Sequence, residues 1–212
     1  MKTEPATIGK RECTGMLNKK IIITTVNDNP EYIKMAGALE QSVIENGCAE
    51  FKCHIIDDTA LRASHSRARL IKETLLEGYG IVAWFDADTL VVRNLKSFWK
   101  DITPNSMKAF YRPHQVKKRR FNSGVVAFGA NTIGFVQEWE NRLVDSTDIY
   151  TDQLTLYKTY RTQKIKLIKM SEKYNDHYFR DKSYIWHNKL KNKNSGKKFL
   201  KRQKEYEIRK ST

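Results

Sequence analysis

The sequence predicts an α/β protein whose first half forms a parallel, Rossmann-like half-sheet. Three observations point there. Two short apolar runs, Lys20 to Val26 and Phe51 to Ile56, are each followed by a segment of helical period. A third run, Ile81 to Phe85, is apolar at every position, as a strand buried on both faces must be. Polar residues follow each run, so the order is strand, helix, strand, helix, strand with right-handed crossovers.

Lys20-Ile21-Ile22-Ile23-Thr24-Thr25-Val26 is β-branched and apolar, and it ends in the turn-forming Asn27-Asp28-Asn29-Pro30. Tyr32, Met35, Ala36, Leu39, Val43 and Ile44 recur at helical spacing up to a C-cap at Asn46-Gly47. Phe51 to Ile56 is the second strand, closed by Asp57-Asp58-Thr59. Ser64 is the expected N-cap of a helix through Leu70, Ile71, Leu75 and Leu76, ending near Gly78. The second half predicts a strand at Met107 to Tyr111 and a turn at Asn122-Ser123-Gly124 entering a strand to Gly129. A helix follows at Ile133 to Val144, and another opens at Thr151-Asp152-Gln153. Short strands are expected at Ile165 to Ile168 and Tyr184 to Trp186. The domain is expected to span residues 1–193, with 194–212 as a basic, helical tail.

The most informative stretch is Trp84-Phe85-Asp86-Ala87-Asp88-Thr89-Leu90. Eleven Asp in 212 residues yield roughly 0.6 Asp-x-Asp matches by chance, so the spacing alone proves nothing. Position carries the weight. Two carboxylates between apolar runs sit at the rim of a sheet, where open α/β folds bind ligands. Paired Asp are hard oxygen ligands suited to Mg²⁺ or Mn²⁺, which in turn hold phosphate oxygens. No Gly-x-Gly-x-x-Gly occurs, so the usual dinucleotide fingerprint is absent.

Composition narrows the class. Hydrophobic residues make up 40% of the chain and aromatics 11%, enough for a core. No run of 18 apolar residues suggests a membrane span, and Met1 to Pro5 opens no signal core. Three cysteines, Cys13, Cys48 and Cys53, lack metal-ligand spacing, so reduced thiols and a cytoplasmic location are expected. The net charge is +15, with clusters at Lys117 to Arg120 and from Lys189 to Lys210, where ten Lys and Arg face two Glu. Such patches attract anions; a solvated tail accounts for the second cluster equally well.

Six blocks in order resemble one family: Thr25-Val26-Asn27-Asp28-Asn29, Arg69-Leu70, Trp84 to Val92, Phe121 to Val125, Asp152-Gln153 and Ile185-Trp186-His187. Together they are similar to glycosyltransferase family 8, from about residue 21 to residue 193. The resemblance implies a GT-A fold, in which helices flank a mixed, Rossmann-like central sheet in a single domain. It implies transfer of a hexose from a UDP-sugar, UDP-glucose by default, to a hydroxyl of a glycan or glycoprotein, with retention of configuration. It also implies roles. Asp86, Asp88 and His187 would hold Mn²⁺ or Mg²⁺. Thr25, Asn27 and Asp57 would form the uridine pocket. Arg69, and more weakly Arg67, would reach the sugar or phosphates. Asn122 and Ser123 would line the sugar, and Asp152 and Gln153 would sit near the anomeric carbon. The family's Lys-Pro-Trp block after the His is missing; Lys193 and Lys189 remain as phosphate partners.

Two other classes compete. The Asp-x-Asp superficially fits a haloacid-dehalogenase-type phosphatase, but that class places its pair after the first strand, with one more residue before the Thr. A basic nucleic-acid-binding module fits the charge but has no recognised motif, so no nucleic-acid partner is expected. A place within a longer multidomain protein is a further expectation.

Overall fold

The computed structural model describes residues 19–56, 60–144, 151–188 and 195–211. The elements run β1 (Lys20–Val26), α1 (Pro30–Asn46), β2 (Glu50–Ile55), α2 (Ala60–Leu76), β3 (Ile81–Phe85), β4 (Thr89–Val91), α3 (Lys96–Trp99), β5 (Ser106–Tyr111), β6 (Phe121–Gly129), α4 (Ile133–Val144), α5 (Thr151–Thr162), β7 (Lys166–Lys169), β8 (Ile185–His187) and α6 (Ser195–Ser211). Six strands form one sheet in the order β2-β1-β3-β6-β5-β7. β1 pairs in parallel with β2 and β3, whereas β6 runs antiparallel to both β3 and β5. The expected parallel half-sheet is therefore one side of a mixed sheet.

β3 is central, and all five of its residues are buried. One sheet face packs Ile21, Ile23, Val82, Trp84, Val126 and Phe128 under α2, α4 and α5, with Trp139 fully buried among them. The other face packs Ile22, Ala83, Phe85, Val125 and Ala127 against α1 and α3. Side chains alternate along these strands, so consecutive apolar residues serve opposite cores.

Most elements lie within two residues of their expected places. Two differences have clear causes. α2 starts at Ala60, so Ser64 lies inside the helix and is not its cap; Ala60-Leu61-Arg62-Ala63 are all strong helix formers and extend it backwards. Asn122-Ser123-Gly124 is not a turn but lies in β6, where Asn122 pairs with Phe110 and the register shifts before Val125 pairs with Phe85. The turn-type residues thus fall at an irregularity in the ladder and not at a chain reversal.

A two-stranded sheet, β4 with β8, sits beside the main one and sets His187 opposite Thr89. α6 packs on α1: Phe199 is buried and stacks on Trp186 at 5.6 Å, and the Tyr206 hydroxyl accepts from Asn46 Nδ2 at 2.8 Å. No helix among the described residues is long and apolar enough to cross a membrane.

Candidate active site

Asp86 follows β3 at the point where the chain leaves the sheet. Its backbone N–H donates to the Gly124 carbonyl at 2.7 Å, which ties the strand end to β6. Its Oδ1 accepts from Trp84 Nε1 at 2.8 Å and from Arg67 Nη2 at 2.7 Å. Trp84 and Asp86 lie two apart on one strand edge, so their side chains share a face. The Thr89 N–H and hydroxyl both donate to the Asp86 carbonyl, turning the chain into β4 and presenting Asp88 beside Asp86.

His187 completes the cluster. Its Nε2 is 3.5 Å from both Asp86 Oδ2 and Asp88 Oδ1, and the three ligand atoms lie within 4.8 Å of one another. Its other ring nitrogen, Nδ1, is 2.8 Å from Asn175 Oδ1. An Nδ1–H donated to that amide oxygen leaves the Nε2 lone pair facing the carboxylates. Asn175 is buried and was not singled out from sequence; no local pattern links it to His187, and only the fold brings the two together.

These groups suit a divalent cation. Two carboxylates and an imidazole are an acceptable ligand set for Mn²⁺. Asp88 Oδ2 is buried without a hydrogen-bond partner, and a buried carboxylate oxygen needs a positive partner. Gly124 makes room: a Cβ there would stand 2.2 Å from His187 Cε1 and 2.5 Å from Asp86 Oδ2.

The electrostatics are divided. Burial pushes the Asp86 carboxyl up, but Arg67, His187 and the Trp84 N–H together outweigh it and hold Asp86 below its ordinary range. Burial drives Asp88 the other way, and the Asp86 charge adds to it; His187 opposes but does not win. Burial alone would lower His187, yet Asp88 and Asp86 raise it above an ordinary imidazole.

Arg67 joins this cluster to a second one. Its guanidinium bonds Asp86 through Nη2 and Asp152 Oδ2 through Nη1, and it lies 4.9 Å from the Trp84 ring centroid. The Ser123 hydroxyl also donates to Asp152 Oδ2, at 2.5 Å. Asp152 lies in the first turn of α5, where a carboxylate also favours the helix dipole. Of the two candidate arginines, Arg69 is exposed on α2 and it is Arg67 that reaches the site. The signal was present: Arg67 falls four and eight residues before Ile71 and Leu75, on the buried stripe, while Arg69 lies off it.

The other described candidates make local hydrogen bonds on neighbouring elements. The Thr25 hydroxyl at the end of β1 donates to the His54 carbonyl at 2.9 Å, which leaves its lone pairs available. Asn27 Oδ1 accepts from Asn29 N–H at 3.2 Å and shapes the turn. Asn122 Oδ1 accepts from Gly124 N–H at 2.9 Å. Gln153 is half-buried beside Asp152. Asp57, Lys189 and Lys193 lie outside the described residues.

A mixed sheet flanked by helices, with an acidic pair after its central strand and a histidine brought beside it from β8, has the GT-A fold. A model of the nucleotide-diphospho-sugar transferase family matches residues 30–208, and the chain belongs to that family. Solved structures agree on the fold. A glycosyltransferase involved in glycosylation of the major capsid of PBCV-1 aligns with TM-score 0.66 at 13% identity, over 85% of this chain and 99% of that one. The galactosyltransferase LgtC, in complex with donor and acceptor sugar analogues, aligns with TM-score 0.55 at 12% identity, over 88% and 95%. The bifunctional glycosyltransferase WbbM gives 0.61 at 13%, with this chain spanning 49% of its length. A search of curated protein sequences finds no match. The chain is a glycosyltransferase using a nucleotide-sugar donor, and this takes the place of the phosphatase and nucleic-acid readings.

Proposed function

We propose that the protein is a metal-dependent hexosyltransferase that moves a sugar from a UDP-sugar, UDP-glucose by default, to a hydroxyl of a glycan acceptor with retention of anomeric configuration. The observation that carries this is the meeting of Asp86, Asp88 and His187 at the end of β3, with Asp152 bound through Arg67 to the same carboxylate. Asp86, Asp88 and His187 would hold Mn²⁺ or Mg²⁺. When bound, the ion supplies positive charge where the departing diphosphate becomes more negative.

The chain's own groups do the rest. Thr25, Asn27 and Asp57 bind the base and ribose. Arg67, and Arg69 if it turns inward, add charge near the phosphates, with Lys189 and Lys193 assigned to the same task. Asn122, Ser123 and Gln153 line the donor sugar. Asp152 has one oxygen committed to a guanidinium and a hydroxyl, which suits holding a sugar hydroxyl better than covalent attack on carbon. Retention is then achieved by front-face attack, the acceptor oxygen entering on the side from which the diphosphate leaves.

The test is a panel of UDP- and GDP-sugars scored for nucleotide release with Mn²⁺, Mg²⁺ or chelator, alongside Asp86→Ala. Metal-dependent release from one UDP-hexose, lost in the variant, supports the proposal. Equal release with chelator present, or undiminished activity of the variant, rejects it. The anomeric configuration of the product, read by NMR, decides retention separately.

A further inference from the structure

Between Asp101 and Glu138 the sequence contains six Lys and Arg and not one carboxylate. Five of the six, Arg112, Lys117, Lys118, Arg119 and Arg120, fall in the hairpin that joins β5 to β6. Lys117, Lys118 and Arg119 form a short 3-10 turn and are exposed. The ion pairs among the described residues lie elsewhere, on Lys52, Arg67, Lys72, Arg142, Arg180, His187 and Arg202. Among the described residues, like charges are crowded here without an internal counter-ion. Arg112 is lowered by burial and then by the neighbouring Arg119 charge, and its Nε is buried without a partner.

The hairpin is built, not loose. The Arg112 N–H donates to the Arg120 carbonyl at 2.6 Å, and Arg119 N–H to the Val116 carbonyl at 2.8 Å. Arg120 does not face a ligand: its guanidinium donates to the Tyr157 hydroxyl and covers that ring at 4.9 Å, while Nε donates to the Gln115 carbonyl. Tyr157 belongs to α5, the helix whose first turn carries Asp152. On the other side, Arg120 stands three residues before Ser123, about 10 Å at the rise of an extended chain. The basic turn is therefore anchored to the two elements that hold Ser123 and Asp152, at the sheet end that carries the site.

A neutral acceptor has no use for such a concentration of charge at that end of the sheet. We propose that the acceptor is a saccharide bearing an anionic group near the accepting hydroxyl, and that Arg112, Lys117, Lys118 and Arg119 bind that group. The shared chemistry is an oxyanion, supplied either by a phosphate ester or by the carboxylate of an acidic sugar. This rests on the glycosyltransferase reading above.

The experiment uses three matched oligosaccharides: neutral, the same with a terminal glucuronate, and the same with a phosphate ester. Acceptor-stimulated nucleotide release is measured for the wild type and for the triple variant Lys117→Glu, Lys118→Glu, Arg119→Glu. Donor hydrolysis without acceptor is the internal control. For the wild type, a charged acceptor should have a KM about tenfold below that of the neutral one, the combined effect of several exposed ion pairs of ordinary strength. Whether glucuronate or phosphate is preferred names the source. The variant should lose that advantage while its donor KM and hydrolysis stay as in the wild type; Lys117→Arg, Lys118→Arg, Arg119→Lys should keep it. Equal KM for neutral and charged acceptors in the wild type overturns the proposal. So does a variant that loses donor hydrolysis in parallel, or one that loses only salt-sensitive binding of a single-stranded oligonucleotide. Absence of donor hydrolysis in the wild type sinks the underlying donor assignment instead, and this proposal with it.

Discussion

Replacing Gly124 by Ala inserts one carbon between the His187 imidazole and the Asp86 carboxylate. That Cβ would lie 2.2 Å from His187 Cε1, 2.5 Å from Asp86 Oδ2 and 3.0 Å from His187 Nδ1. Carbon atoms normally approach to about 3.5 Å, so the imidazole must retreat by more than about 1 Å. It cannot do so freely. Asn175 holds its Nδ1, and the β4–β8 ladder holds its backbone. Asp86 is held by Arg67 and Trp84. The Gly124 backbone does not have positive φ, so alanine is conformationally allowed and the penalty is purely steric. Overpacking of this kind costs about 1–3 kcal/mol, or roughly 2–12 °C in melting temperature for a chain of this size. Displacing reactive groups by about 1 Å costs on the order of 100-fold in rate. Thermal shift with and without Mn²⁺ plus UDP, together with nucleotide-release rates, measures both. The variant should fold, melt a few degrees lower, and lose most of its metal-dependent stabilisation and activity. A Gly124→Ala protein with the wild-type Mn²⁺ shift and rate would refute the reasoning.

Other perturbations separate fold from function. Arg67→Met should cost about 3–5 kcal/mol by stranding the buried Asp152 and the half-buried Asp86, seen as a lower urea midpoint, and Arg67→Lys should recover only part because a single ammonium cannot fork to both carboxylates. Asp88 has a raised pKa, so its ionised form opposes folding above the ordinary carboxylate pKa; Asp88→Asn should raise the metal-free melting temperature at pH 7 by roughly 2–4 °C while removing Mn²⁺-dependent stabilisation, as trade-offs at active sites do. At Asp176, burial raises the carboxyl, but the Ser183 hydroxyl and the Arg180 and Tyr178 amides outweigh it and hold it low. Its stabilising effect is therefore full above the ordinary carboxylate pKa of about 4 and fades as pH falls through the folded value. Asp176→Asn should flatten the acid limb of a melting-temperature profile, and an unchanged limb would contradict the assignment.

Much of this site was legible because it lies on regular elements. Asp86 and Asp88 were located by the abrupt end of a fully apolar strand, and the first three strands by β-branched runs. Arg67 was legible too, through its spacing to Ile71 and Leu75, although the block pattern drew attention to Arg69. Other features depend on contacts distant in sequence. Asn175 lies twelve residues before His187, and the antiparallel β6 that delivers Ser123 pairs with a strand forty residues earlier. The Asn122-Ser123-Gly124 segment has turn-type residues, yet Gly124 is needed there for close approach of side chains, not for a turn.

Where a divalent cation binds is the decisive measurement. Crystals soaked with Mn²⁺ and UDP should show an anomalous peak among the Asp86 and Asp88 carboxylates and His187 Nε2, with the diphosphate on its open side. A peak elsewhere, or UDP bound in full with the peak absent, would contradict it.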